Sequence, residues 1–535
     1  MVIITLVLCT IICYLCYYLY GKLRYWHNRD FPCVSTKFNL RHMKYFLLGN
    51  KPQEVLLKEI YDELKGHKFG GYISLFTPYI LLRDPEIINN VLVRDFAYFE
   101  DRFNEIEDTS DTFFDNVFAM KGQHWRYVRH KLTPLFSCNK VRLMVDQVVN
   151  CCNYAISRVE RDIQQKPADV ENLMASYCFS VVGSTVFGLD FDSGEGGDAK
   201  KVFLEMIDSF FKSKFLILLS LSLKIGMPKV EFFLRKFLRL NIGAPETCMR
   251  ILADSIKMRE RTGYRRNDFL QLMIDLKKEE QTSTNKMSHS SAGTKRKISE
   301  EEQDYSSKEI FGGAEPPADN FPEKIFTDVS IFANSFLFLS IGTNSTSCVL
   351  SFMLYEIAVN TDIQERLRME IDSVLAGTNI SFECLKRLTY MDKVIAETMR
   401  LHIPSGALMR NCKYDYKIPG TDKVVKRGET VVVMTSAMHH DEKYFQNPDK
   451  FDPERFSDMR AIQKGVYLPF GCGPRMCFAI PFVMMQIKIT ICKILSTYKL
   501  ILNDRTRQPL KISTRDLMTH SEGGIWIDFR KRDSE

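Results

Sequence analysis

The segment from Tyr467 to Leu495 reads YLPFGCGPRMCFAIPFVMMQIKITICKIL. Two glycines and a proline between positions 471 and 474 predict a tight loop, and the apolar run that follows predicts a long buried helix opened by Cys477. The dipole at a helix N-terminus favours the thiolate form of a cysteine, and the positive charge of Arg475 adds to this effect. The segment therefore predicts a metal-bound thiolate at Cys477.

Two alternatives stand beside this prediction. A single cysteine in an apolar segment is more often a buried structural residue than a ligand. Cys472 is a second candidate for the same role, but it lies inside the predicted turn and not at the start of the helix. The loop alone does not exclude either alternative.

The loop motif Phe470-x-x-Gly473-x-Arg475-x-Cys477 resembles the haem-binding loop of the cytochrome P-450 (haem-thiolate) family. An E-x-x-R motif alone means little, because any helical ion pair three residues apart produces it. Here it is one of three further motifs that occur in the family's order. They are W-x-x-x-R at Trp125–Arg129, E-x-x-R at Glu397–Arg400 and the P-E-R-F segment at Phe451–Phe456.

The resemblance covers the chain from its N-terminal apolar segment to its C-terminus. It implies the cytochrome P-450 fold, which is mainly α with small β-sheets, and haem b (iron protoporphyrin IX with an axial thiolate) as cofactor. Cys477 would be the axial ligand of the iron, where a thiolate favours O–O cleavage, and Phe470 would pack beside it. Pro481 stands where the family has an arginine, and a proline is tolerated in the first turn of a helix.

The resemblance also implies roles for charged side chains. Haem propionates need buried cations, and the matching candidates for cofactor binding are Trp125, Arg129, Arg410 and Arg475. The alternative for the first two is an ordinary pair on a surface helix. Three further residues resemble the family's buried ion network, which supports the ligand loop without taking part in turnover: Glu397, Arg400 and Arg455.

Residues Ile325 to Asn360 read as one long apolar helix with SIGTNSTS at its centre. Related enzymes have a small residue, a glycine, any residue, an acid and a threonine there. Gly342, Asn344 and Ser345 are therefore the predicted catalytic residues: the glycine lets the helix open beside O2, and the serine keeps a hydroxyl that can bind it. Asn344 cannot exchange a proton as a carboxylate does. This departure leaves a second hypothesis open, a haem-binding carrier or isomerase with impaired oxygen activation.

The first 21 residues predict a single transmembrane signal-anchor, because the opening twenty carry no charged side chain and match the length of a bilayer. Basic residues follow the span at once, so the positive-inside rule places the rest of the chain in the cytoplasm. The alternative is a secretory signal. The predicted organisation is an anchor (1–21), a linker (22–50) and a haem-thiolate catalytic domain (51–535) on the endoplasmic reticulum membrane.

Composition agrees with one large core-forming domain. The 535 residues are 45% hydrophobic, and the net charge of +7 is spread too thinly to indicate a nucleic-acid partner. Residues 281–320 are polar, Ser-rich and charged, which predicts a mobile surface insertion. The apolar run FLILLSLSL at 215–223 is too short to span a bilayer, and either core packing or a membrane-dipping surface explains it.

The resemblance implies a monooxygenase that inserts one atom of O2 into a lipophilic small molecule (a xenobiotic, steroid or fatty-acid-like compound). The resemblance also implies that NADPH supplies the electrons through a separate reductase, with a cytochrome b-type protein as a further donor. The sequence carries no complete dinucleotide fingerprint, so electrons would have to come from outside the chain. Three stretches of the sequence resemble microsomal insect enzymes allied to vertebrate drug-metabolising forms, namely WRYVRHKLTPLFS, DYKIPGTDKVV and FDPERF. The predicted reductase-docking residues are Arg126, Lys131, Lys140 and Arg142.

Overall fold

The computed structural model describes residues 17, 20–74, 77–103, 115–162, 167–188, 246–266, 268–287, 327–514 and 518–532. Most of these residues lie in helices, and short strands form three small sheets. The predicted fold class, mainly α with small β-sheets, is confirmed.

The α-helices differ widely in length, from single turns to a central helix of 32 residues. In chain order they are α1 (Thr36–Leu48), α2 (Gln53–Glu63), α3 (Pro85–Asn89), α4 (Gly122–Leu132), α5 (Cys138–Arg142), α6 (Val145–Asp162), α7 (Val170–Val182), α8 (Glu246–Thr262), α9 (Phe269–Met287), α10 (Asp328–Val359), α11 (Thr361–Leu375), α12 (Phe382–Lys386), α13 (Thr389–Leu401), α14 (Thr435–His439) and α15 (Ile480–Thr497).

The strands are β1 (Phe69–Ser74), β2 (Thr77–Leu82), β3 (Ala168–Asp169), β4 (Leu408–Asn411), β5 (Tyr416–Lys417), β6 (Val424–Val425), β7 (Thr430–Val433), β8 (Tyr498–Leu502) and β9 (Trp526–Lys531). The largest sheet has the order β1-β2-β7-β4, in which only the β2–β7 pair is parallel. The other sheets are β3-β9-β8 and β5-β6. In the largest sheet Arg410 pairs with Val431, and this register fixes Arg410 on the edge strand β4.

Helix α10 runs through the core and matches the long helix that the sequence predicts. Thr327 caps its N-terminus, because the Thr327 side chain accepts a hydrogen bond from the Ser330 N–H at 3.1 Å. The helix is apolar on all sides because other helices, including α7 and α13, cover it.

Among the described residues, two helices are long and apolar enough to cross a membrane, namely α10 and α15. Most of the apolar window of each helix is buried inside the protein, 72% and 61% respectively, as is typical of core helices. Helix α15 begins at Ile480, three residues after Cys477, so the prediction that Cys477 opens this helix is wrong. The Cys477 N–H instead bonds to the Phe470 carbonyl at 2.9 Å, and Pro481 lies in the first helical turn.

The linker predicted at residues 22–50 needs correction, because most of it is folded onto the domain. Trp26 is 2% exposed, and its indole N–H donates to the Tyr72 carbonyl at 3.1 Å. A Cβ on Gly71 would lie 2.2 Å from the Trp26 ring, so only glycine lets strand β1 approach the indole this closely. Phe31 is buried beside it. The burial of these rings makes the segment part of the domain, which therefore begins before residue 51.

Three predicted segments lie largely or wholly outside the described residues: the anchor at 1–21, the apolar run at 215–223 and the insertion at 281–320. Helix α9 includes the first seven residues of the insertion and ends at Met287. The anchor and the mobile insertion stay predictions.

Candidate active site

A cavity of about 660 Å³ lies between the segment that precedes α15 and the central helix α10. Cys477 and Phe470 form part of one wall, and Gly342 and Ser345 of α10 form part of the other. Most of the remaining lining is apolar, with many aromatic and aliphatic side chains. This is the usual character of a site for a small molecule or cofactor.

The loop from Leu468 to Cys477, which we call the ligand loop, is closed by its own backbone. The Gly471 N–H donates to the Leu468 carbonyl at 3.1 Å, and the Cys477 N–H donates to the Phe470 carbonyl at 2.9 Å. Gly473 has a φ of +71°, and a Cβ there would lie 2.0 Å from the Leu92 carbonyl oxygen. Glycine is therefore required at this position by both backbone conformation and space.

The two cysteines of the ligand loop lie in different surroundings. Cys477 lines the cavity, whereas Cys472 packs against the separate apolar cluster that contains the largest sheet. The geometry thus favours Cys477 over Cys472 as the ligand.

The electrostatics at Cys477 differ in one respect from the prediction. Burial raises the pKa of the Cys477 thiol, and the Ala479 N–H and the charges of Arg129 and Arg102 act in the opposite direction. The cations that favour the thiolate are therefore Arg129 and Arg102, and not Arg475 as the sequence suggested.

Four arginines lie along the cavity: Arg102, Arg129, Arg410 and Arg475. Burial lowers the pKa of Arg129 and of Arg410 to about 10, and that of Arg475 to about 9, yet guanidinium groups with such pKa values stay charged at neutral pH. The buried Nε atoms of Arg129 and Arg410 have no hydrogen-bond partner among the described residues. Buried cations with open donors need anions, and the two propionates of a haem supply them. The residues present therefore fit this cofactor.

Trp125 and Arg129 are both buried, at 1% and 4% exposure, so they are not the surface pair that the alternative required. Both belong to α4 and line the cavity. The Arg129 guanidinium lies 4.5 Å from the centre of the Phe478 ring, beside Cys477. The structure thus brings these two predicted residues to the cavity with Arg410 and Phe470.

Besides lining the cavity, Arg475 connects two segments of the chain. Its guanidinium stacks over Trp125 at 3.8 Å from the ring centre. It donates to the backbone carbonyls of Glu100, Val117 and Met120, at 2.9, 3.3 and 2.7 Å. These bonds tie the ligand loop to the chain that precedes α4, so Arg475 acts as a cross-link as well as lining the cavity.

The three residues predicted on α10 do not all face the cavity. Gly342 and Ser345 line it, and the Ser345 hydroxyl donates to the Ile341 carbonyl at 2.8 Å. The Asn344 amide donates to the Ser340 carbonyl at 2.9 Å along the same helix, and Asn344 is not among the residues that line the described cavity. Gly342 and Ser345 therefore form this part of the cavity wall, and Asn344 does not contribute to it.

The predicted ion network is buried and complete. Glu397 and Arg400 are both 0% exposed and form two hydrogen bonds, at 2.7 and 2.9 Å. Arg455 adds a third contact to the same carboxylate at 3.2 Å, and the Asp452 N–H a fourth at 2.8 Å. The network does not touch the cavity, in agreement with the supporting role that the sequence predicted.

Sequence reasoning missed three residues that the structure brings to the site or to its support. Arg102 joins the arginines of the cavity, Thr346 lines the cavity next to Ser345, and His439 bonds to the ligand loop. Thr346 could have been found, because it is a further hydroxyl in the same SIGTNSTS run. Arg102 and His439 carry no local signal, since their contacts are tertiary: Arg102 bonds to the Arg475 carbonyl, 373 positions away, and His439 bonds to the Leu468 N–H, 29 positions away.

Comparison with known proteins agrees with this geometry. A family model described as Cytochrome P450 matches residues 43–295 and 294–527. Cytochrome P450 6B1 of Papilio polyxenes is 30% identical over 521 residues, which cover 96% of this chain and 97% of that protein. Probable cytochrome P450 6d4 of Drosophila melanogaster is 28% identical over 526 residues, or 96% of each chain. Cytochrome P450 9e2 of Blattella germanica is 29% identical over 537 residues, covering 96% and 94%.

With such matches over nearly its whole length, the chain belongs to the cytochrome P450 family, as a monooxygenase of the insect detoxification type that binds haem through a cysteine thiolate.

Proposed function

We propose that this monooxygenase oxidises lipophilic small molecules, such as xenobiotics, steroids or fatty-acid-like compounds, with electrons from NADPH delivered by a separate reductase. The observation that carries the proposal is the cavity itself. Its apolar walls place Cys477 on one side and a glycine and a hydroxyl of α10 on the other. An apolar substrate gains free energy by leaving water for such a space.

When bound, the haem supplies the activation of O2, and the chain supplies the surroundings. Cys477 would hold the iron, and Arg129 and Arg410 would hold the propionates through their buried donors, with Arg102 beside them along the cavity. Ser345 offers a hydroxyl on the opposite wall of the cavity, where it could hold a proton for the reaction. Phe470 and Phe478 line the cavity with Cys477, and with the haem bound they would shield the sulfur from water.

The proposal also includes a membrane anchor and a separate electron donor. Residues 1–21 would anchor the chain in the endoplasmic reticulum membrane, with the catalytic domain in the cytoplasm. A reductase is needed because the sequence carries no complete dinucleotide fingerprint. A cytochrome b-type protein is a further candidate donor.

The alternative is a carrier or isomerase that binds haem but activates oxygen poorly. Asn344 favours it, because an amide cannot deliver a proton and positioned acids typically contribute about 10²–10⁴-fold to proton-transfer rates. Productive turnover converts one substrate, one O2, one NADPH and one proton into hydroxylated product, water and NADP⁺. Uncoupled turnover sends the same two electrons and O2 to hydrogen peroxide.

The experiment that separates the two hypotheses measures product, NADPH consumption and hydrogen peroxide with purified reductase and a panel of lipophilic substrates. We expect the wild-type protein to form product with NADPH. Asn344→Glu should raise the amount of product formed per NADPH consumed. Asn344→Gln should not, because glutamine has the same length as glutamate but carries no acid group. If the wild-type protein consumes NADPH only to form peroxide on every substrate, the alternative is correct.

A further inference from the structure

His439 lies at the end of α14 and belongs to none of the four motifs, yet it is 0% exposed. Its ring Nε2 accepts a hydrogen bond from the backbone N–H of Leu468 at 3.0 Å. Leu468 is the first residue of the ligand loop. A buried side chain from a helix 29 residues earlier in the chain thus bonds directly to the backbone where this loop begins.

The other side of His439 is attached to the ion network. The Arg400 guanidinium donates to the His439 carbonyl at 2.8 Å. The His439 ring also packs against the ring of Tyr467, with centres 5.4 Å apart. The Tyr467 hydroxyl donates to the Ala396 carbonyl of α13 at 2.9 Å. His439 therefore lies between the helix that carries the network and the ligand loop.

The bond to Leu468 requires a particular form of the ring. Because an amide N–H can only donate, Nε2 must accept, and the ring hydrogen lies on Nδ1. That Nδ1 is buried and makes no hydrogen bond of normal geometry to the described residues. Burying an N–H group without a good acceptor is unfavourable. An apolar side chain at position 439 would avoid this cost, and the bond to Leu468 is the advantage that the histidine offers over such a side chain.

The position of Leu468 in the loop shows what the bond would control. The Leu468 carbonyl accepts the Gly471 N–H, and the Phe470 carbonyl accepts the Cys477 N–H. Fixing the Leu468 amide therefore fixes the first of two linked turns that end at Cys477. An error at the start of the loop would move the sulfur.

We propose that His439 is a positioning residue, which connects the ion network to the ligand loop and holds Cys477 in the geometry that binds iron as a thiolate. It acts through Leu468 and does not touch the cavity, because it is not among the residues that line it. The proposal rests on Cys477 being the iron ligand and is independent of substrate or reductase.

The test compares His439→Gln with His439→Asn in the full-length haem protein, reduced with dithionite under carbon monoxide without any reductase. A glutamine places its amide where Nε2 lies and can accept the Leu468 N–H, whereas the shorter asparagine cannot reach it. The measurement is the ratio of the neutral-thiol band to the thiolate band in the absorption spectrum. We expect this ratio to rise about tenfold in His439→Asn, in line with the effect of leaving a buried N–H unbonded, and to stay close to wild type in His439→Gln.

The neighbouring His440, directly after α14, provides a matched control, because its Nδ1 bonds at 2.8 Å to the Ser436 carbonyl of α14 and not to the ligand loop. His440→Asn should leave the ratio unchanged. Equal ratios in the two His439 variants, or the same rise in His440→Asn, would overturn the proposal. Since both His439 substitutions introduce a polar amide, a general loss of folding would affect both and would also count against it.

Discussion

Cys472 and Cys477 differ by five positions, but they point into different environments. The first packs against the cluster around the largest sheet, and the second lines the cavity beside Arg129 and Phe470. Local sequence predicted this choice for a partly wrong reason, since helix α15 begins only at Ile480. What selects Cys477 is the pair of turns in the ligand loop and the arginines that converge on it from other parts of the chain.

Exchange of each cysteine for serine tests this selection. Cys477→Ser should abolish the thiolate-type spectrum of the reduced carbon monoxide complex, because a serine hydroxyl does not supply a thiolate to iron. Cys472→Ser should leave the spectrum unchanged, because Cys472 does not line the cavity. An unchanged spectrum in Cys477→Ser would refute the assignment of the ligand.

Single residues were predictable where a motif fixed their spacing. Trp125, Arg129 and Cys477 line the cavity, as the motifs predicted. Arg102 and His439 could not be predicted, because each depends on a tertiary contact that no local sequence pattern encodes. The Arg102 guanidinium donates to the Arg475 carbonyl at 3.0 Å, across more than 370 positions of sequence.

At the scale of elements, helix α13 and the segment around residues 450–456 are joined by one carboxylate. Glu397 accepts hydrogen bonds from Arg400, Arg455 and the Asp452 N–H, and it is fully buried. Removing one member of a buried ion pair leaves the other charge without compensation, which is more costly than the pair itself is favourable. The network is therefore expected to contribute to stability mainly through the cost of breaking it.

Glu397→Gln should lower the free energy of unfolding by about 3–5 kcal/mol, because it leaves the buried charge of Arg400 without its partner. Glu365→Gln is the matched control: Glu365 also pairs with an arginine three residues later, Arg368, but on the surface. Removing an exposed pair changes stability by less than about 1 kcal/mol. Urea unfolding followed by circular dichroism measures both variants. Similar effects at the two positions would contradict the role assigned to Glu397.

Long elements were easier to predict than their ends. The apolar run at residues 325–360 predicted α10 within three residues, because a long continuous apolar pattern marks a helix far more clearly than a short one does. The run TVVVMTS at Thr430–Ser436 has the composition of a strand, but strand β7 ends at Val433 and the last two residues of the run belong to α14. Ends depend on turn chemistry and on hydrogen bonds to other segments, and sequence patterns define these poorly.

At the scale of the molecule, the predicted and observed organisation differ most in the region after the predicted anchor. Residues 22–50 contain few signs of a domain on their own, but the burial of Trp26 against strand β1 makes them part of it. This packing depends on Gly71 and Tyr72, which the local sequence of the segment does not reveal. A folded segment here places the catalytic domain closer to the predicted membrane anchor than a free linker would.

Helix α4 lies between the cavity and the surface, and this position suits electron delivery. Trp125 and Arg129 face the cavity, whereas Arg126 pairs with Glu100 on the other side. Arg142, also predicted for docking, pairs with Glu383. Among the described residues, no ion pair engages the two remaining predicted cations, Lys131 and Lys140. We therefore expect these two lysines to contribute most to an acidic reductase's approach.

Reductase-driven turnover should fall on the order of fivefold as ionic strength rises from about 0.05 to about 0.5 M, because salt screens attraction between exposed charges. Lys131→Glu combined with Lys140→Glu should slow turnover at low salt and remove most of this dependence. The same charge change at Lys499 and Lys511, which lie on and after strand β8, should do neither. The reduced carbon monoxide spectrum, recorded at each salt concentration, shows whether the haem site itself stays intact. Salt-independent turnover of the wild-type protein would exclude α4 and α5 as an electrostatic docking surface, because a charge-steered encounter cannot be insensitive to screening.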